Sequence, residues 1–147
     1  MARVLALWYL GGSLIHFECA LNRPQVYVRF GQTALDPAMR HIWAAFVMPH
    51  ITAFALLLAA FELAVVVLLL SKGRAVTVGL TASLAFNLFL VQLGLGYAAV
   101  PNSLRDFAVN RLANVLFILL QLPLYWVRFD RSVPNLVRAR FRSSKSV

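Results

Sequence analysis

The stretch AFALLLAAFELAVVVLLL, residues 53–70, sets seventeen apolar residues around one carboxylate, Glu62. As a helix, a run of this length and polarity matches the roughly 30 Å hydrocarbon core of a bilayer. An acid alone in hydrocarbon is costly, so Glu62 is expected to be either protonated or hydrogen-bonded inside a bundle of helices.

The surrounding chain fits that setting. Of its 147 residues, 61% are apolar and only 13% charged, too few polar groups to cover a water-soluble domain of this size. Four spans are predicted, near residues 3–20, 50–71, 75–99 and 107–127. The first is expected to be a retained helix and not a signal peptide, because its apolar run is long. The expected fold is therefore all-α, an integral membrane four-helix bundle. A basic cytoplasmic tail, residues 128–147, follows it.

Charge sets the expected orientation. One side holds Arg3, Lys72, Arg74 and six tail residues, Arg128, Arg131, Arg138, Arg140, Arg142 and Lys145. The other holds Arg23, Arg29, Arg40, Arg105 and Arg111. Nine against five favours both termini in the cytoplasm. Tyr125 and Trp126, and Trp8 and Tyr9, suit an interfacial aromatic belt. The net charge of +9 is concentrated in the tail beside a span. That placement suggests anionic lipid or an acidic protein partner, and no nucleic-acid motif accompanies it. Cys19 is the only cysteine, which excludes dithiol electron relays and an intramolecular disulfide.

The connections differ in length. SKGRA is a tight hairpin and VPNSLRD a Pro-Asn turn. The segment 21–49 is long. Within it QVYVRF alternates and is expected to be extended. Asp36-Pro37 reads as a helix cap followed by proline at the first helical position. The helix begun there should bend at Pro49 and lie along the interface before the second span, with Trp43 and Phe46 toward lipid.

Each span carries one stripe of small or polar residues at helical spacing. These are Gly12, His16 and Cys19; Ala55, Ala59 and Glu62; Gly79, Ser83, Asn87 and Gly94; and Asn110, Asn114 and Gln121. Small residues let backbones approach, and polar ones bond between helices. A rise of 1.5 Å per residue puts Glu62, His16, Asn87 and Asn114 at a common depth, roughly 13–20 Å from the inner ends. That cluster is the candidate site. In one reading its groups satisfy one another and fix helix register, so that Glu62→Leu would strand a polar partner. In the other, Glu62 and His16 bind a ligand or relay a proton. Haem held by His16 with His41 or His50 has no diagnostic spacing behind it. No metal cluster, nucleophile–base pair or phosphate loop is present.

Taken together, IHF at residues 15–17, NRPQVYVRF and AAFELAVVVLLLSKGRAVTVGLTASLAFNLF resemble the DoxX-type family of small four-helix membrane proteins. The resemblance covers most of residues 10–125. The family's glycine soon after the acid is replaced here by Ala64 and Val65. The resemblance implies a four-helix bundle, and some members are similar to subunits of quinone-linked oxidoreductases. Two functions follow as expectations. The favoured one is a non-catalytic subunit or scaffold of a larger complex, in a bacterial plasma membrane, among lipids and other membrane subunits, holding a lipid or quinone. The alternative is a quinone-linked redox component with Glu62, His16 and Asn87 lining the pocket.

The charge bias generates a test. A phosphatase that is active only when exported, fused to the C-terminus, should be inactive. Strong activity would reverse the orientation.

Overall fold

The computed structural model describes residues 2–100, 103–127 and Phe129. Among these, helices account for 86% and there is no strand. The helices are α1 (Ala2–Asn22), α2 (Val28–Thr33), α3 (Pro37–Ile42), α4 (Ile51–Leu70), α5 (Arg74–Leu93), α6 (Leu104–Asn110) and α7 (Leu112–Gln121). Three helical rods are long and apolar enough to cross a membrane: Ala2–Asn22, Pro37–Leu70 and Arg74–Leu93. Residues Leu104–Asn110 and Leu112–Trp126 make a fourth only as a pair bent by 58°. The basic tail, Phe129 apart, lies outside the described residues, as do residues 101 and 102.

The outer segment departs most from expectation. QVYVRF is helical: Pro24–Tyr27 form a 3₁₀ turn and α2 follows directly. The reason lies in side-chain direction. Tyr27 and Phe30, three residues apart, both pack inward with ring centroids 5.7 Å apart, whereas an extended strand would send them to opposite faces. Asp36 caps α3 as expected, its carboxylate accepting from the Ala38 amide at 2.8 Å. Pro49 does not end the helix. Residues Trp43–Val47 widen into a π turn and Met48–His50 tighten into a 3₁₀ turn. The proline, with no amide to donate, is absorbed in one continuous rod from Pro37 to Leu70. Trp43 also turns inward, donating its indole N–H to the Tyr27 carbonyl at 2.8 Å. Phe46 alone of that pair is exposed.

The long helices pack in chain order, α1 along α4, α4 along α5 and α5 along α7. The predicted stripes mark the buried faces. Ala55, Ala59, Glu62, Gly79, Ser83, Asn87, Asn110, Asn114 and Gln121 are all buried. At the end bearing the α4–α5 hairpin, Leu5, Tyr9, Val65, Leu69, Val76 and Leu80 form a solid apolar core. At the other end, Cys19, Ala20, Tyr27 and Ala55 form a smaller cluster capped by Phe30 and Trp43.

The third span, predicted to residue 99, stops at Leu93. Gly94 follows at φ +84°, with its Cα close against Thr33, a left-handed conformation that a side chain would strain. The chain from 94 to 100 is then irregular, so its backbone needs partners from elsewhere. Asn110 supplies them. Its Oδ1 accepts from the Leu95 and Tyr97 amides, and its Nδ2 donates to the Tyr97 carbonyl and to Asp106. Arg111, at the bend, is only 4% exposed. Its guanidinium donates to Asp106 Oδ2 at 2.7 Å and to the Thr33 carbonyl at 2.6 Å. The expectation of a free flanking charge at Arg111 is thus corrected: it is an internal tie between the bend and the outer segment.

Removing one member of this buried pair should be worse than removing both. Asp106→Leu leaves the Arg111 cation without its carboxylate and is expected to cost about 3–5 kcal/mol. The double variant Asp106→Leu/Arg111→Met should lose less than the single one in denaturant unfolding. A larger loss in the double would refute the pairing.

Candidate functional site

The four predicted site residues meet at one place. His16 on α1, Glu62 on α4, Asn87 on α5 and Asn114 on α7 all line a cavity of about 700 Å³. It lies between the solid apolar core and the outer cap. Tyr27, Phe30 and Trp43 of the outer segment contribute to its walls. α1 and α7 meet through the rings of Trp8 and Phe117, whose centroids are 4.7 Å apart. Trp8, Ile15, Phe89 and Tyr97 line the cavity while remaining exposed. The cavity therefore opens sideways through an apolar rim.

Hydrogen bonding divides the four residues into two kinds. The Asn87 amide nitrogen is fully employed, donating to the Tyr9 hydroxyl at 2.9 Å and to the Ser83 carbonyl at 2.8 Å. Tyr9 in turn shares a 2.7 Å hydrogen bond with the Ser83 hydroxyl and reaches the Ser83 carbonyl at 3.3 Å. This is the register-fixing network of the structural reading. Ser13 adds a bond to the Ala59 carbonyl at 2.9 Å, joining α1 to α4. His16 is also held, its Nδ1 sharing a 2.6 Å hydrogen bond with the Tyr27 hydroxyl and its ring stacked on the tyrosine.

Glu62 and Asn114 are different. Glu62 is 5% exposed, and its Oε1 is 4.0 Å from His16 Nε2, beyond hydrogen-bond reach. Glu62 Oε2 and Asn114 Nδ2 are buried with no hydrogen-bond partner among the described residues. Glu62 does face the other helices, yet no polar group among those residues hydrogen-bonds it. The expectation that Glu62→Leu would strand a partner is corrected accordingly. The space for the carboxylate comes from Gly12, where an added Cβ would lie 2.6 Å from Oε1. Such a collision would push the carboxyl deeper into the cavity or out of its place.

Several residues of the site escape a reading of polar stripes. Tyr9, expected in the interfacial belt, is 2% exposed and central to the network. The signal was present: Tyr9 lies three residues before Gly12 and seven before His16, on the same helical face. Tyr27 came hidden in an apparently alternating segment. His41 and His50 are exposed and take no part in the cavity wall. Among the described residues no group of three or more metal-ligating side chains gathers.

No family model, curated protein or solved structure matches this chain.

The division generates a comparison of two variants. Tyr9→Phe keeps the ring but takes away the acceptor of Asn87, and should cost about 1–3 kcal/mol. Glu62→Leu removes an already unsatisfied acid and should cost less than Tyr9→Phe, or stabilise. Unfolding of both variants checks the order, and the reverse order would mean that Glu62 is structural.

Proposed function

We propose that the chain is an integral membrane protein of four spans, the bent pair Leu104–Trp126 serving as the fourth, that binds a lipid-soluble ligand without transforming it. The exposure of large apolar residues on every long helix, among them Leu7, Leu57, Val67, Val78 and Leu119, supports embedding in hydrocarbon. The bias of nine basic residues against five favours cytoplasmic termini. The small size and lack of a catalytic constellation favour a subunit or scaffold of a larger assembly in the plasma membrane.

The observation that carries the binding function is the cavity in which Glu62 and Asn114 stand unpartnered. Its volume lies in the range of about 300–1,000 Å³ typical of small-molecule sites. A sideways, apolar mouth suits a ligand arriving from the bilayer. Among the described residues no lysine or arginine lines the cavity, so an anionic headgroup would find a carboxylate and no lysine or arginine to pair with. The ligand class is thus an amphiphile with a neutral or cationic head. A quinone falls inside that class, in keeping with the resemblance to DoxX-type proteins. A redox role would further require electrons from a partner, and a stoichiometric redox partner on copurification would favour it.

Trp8 and Trp43 in the wall give a direct readout. Brominated alkyl chains bearing an alcohol, an amine or a carboxylate head should be titrated into the purified protein. Saturable quenching by the alcohol or the amine, absent for the carboxylate and weakened by the cavity-filling Ala113→Phe, is expected. Quenching that never saturates with any head would defeat the proposal.

A further inference from the structure

Within this reading of the cavity as an amphiphile site, and resting on it, we infer that the ligand is a lipophilic monocation whose positive head sits against Glu62. Among the described residues the cavity walls hold one carboxylate and no lysine or arginine. Among them the one basic side chain within ion-pair range of that carboxylate is His16, whose Nε2 at 4.0 Å is beyond hydrogen-bond reach. The other polar groups that share the cavity with Glu62 carry no charge in the working range: Tyr9 on α1, Tyr27 from the outer segment, Asn87 on α5 and Asn114 on α7. A buried carboxylate requires a proton or a cation for neutrality. Here the cavity that Glu62 lines leaves room for a cation brought by the ligand, against the less enclosed oxygen Oε1.

Two further features favour a positive head over a neutral one. Neither end of the Asn114 amide makes a hydrogen bond among the described residues, and its Nδ2 is buried. Its carbonyl oxygen, not so enclosed, is left to accept from a donor that enters the cavity, as an ammonium group does. The walls are also rich in π faces, including Tyr9, Tyr27, Trp43, Phe54, Phe86 and Phe89, which attract a desolvated cation and give an anion nothing. A neutral alcohol would use the same volume but leave the carboxylate to find its own proton.

The test compares two probes of one chain length, a brominated alkylamine and the corresponding alcohol, by saturable quenching of the wild-type tryptophans. The amine is expected to bind more tightly by over about tenfold. Glu62→Gln, which keeps shape and hydrogen-bonding capacity, should erase that preference by weakening the amine and leaving the alcohol within about twofold. Equal binding of both heads by the wild type, or an amine preference that survives Glu62→Gln, would overturn the monocation while leaving an amphiphile site standing. Saturation by neither probe would remove both. The wild-type comparison decides the question even if the variant fails to fold.

Discussion

The outer half of the molecule depends on one buried arginine. Arg111 spends its guanidinium on Asp106 and on the Thr33 carbonyl, so a single side chain joins the bend between α6 and α7 to the end of α2. Thr33 passes the link onward: its hydroxyl donates to the Leu93 carbonyl and accepts from the Gly96 amide. Arg40 adds a bond to the Ala34 carbonyl and the Leu35 amide one to the Gln92 carbonyl. Burying an ion pair is seldom a net gain in stability over apolar packing. What it supplies here is position. These ties fix the far end of α2, while the Tyr27 bond to His16 and the Trp43 bond to the Tyr27 carbonyl hold its near end over the cavity.

The two ends of the bundle follow different rules as a result. At the hairpin end apolar side chains interlock, and of the larger stripe residue Gln121 only the Nε2 is bonded among the described residues, to the Phe117 carbonyl. Toward the cap the helices diverge, and Ala55, Gly12 and Ala113 leave volume where larger residues would have filled it. Unfilled volume forfeits dispersion contacts, and an unsatisfied buried carboxylate adds to the loss. Both costs fall on the same few residues. The solid core at the opposite end, with Tyr9, Ser83 and Asn87 bonded across it, supplies the stability that tolerates them.

Much of this was legible from spacing alone. The stripes named the buried faces of all four long segments, because small and polar residues at intervals of three, four and seven can share only one side of a helix. Common depth then brought His16, Glu62, Asn87 and Asn114 to one level, and they do line one cavity. The connections were opaque for physical reasons. Alternation in QVYVRF arises equally from a short helix whose Tyr27 and Phe30 face inward. Pro49 signals a break only where the preceding turn cannot widen. Arg111 resembles any flanking charge until Asp106, five residues earlier, is brought round by the bend. Each is decided by packing in three dimensions that the linear pattern does not record.

That same distinction separates the two meanings of a polar residue inside an apolar bundle. Asn87 and Glu62 look equivalent along the chain, each a single polar group in a run of aliphatic and aromatic neighbours. In space the Asn87 amide nitrogen has two acceptors within 2.9 Å, and the Glu62 carboxyl has no hydrogen-bond partner among the described residues. A polar group that is satisfied by its neighbours specifies how helices fit together, and its chemistry is consumed in doing so. One that is buried, sterically accommodated by a glycine and still unpaired retains its chemistry for something that comes from outside. The carboxylate that first appears as an interruption in residues 53–70 belongs to the second kind. Its meaning lies in the space beside it and not in the helix that carries it.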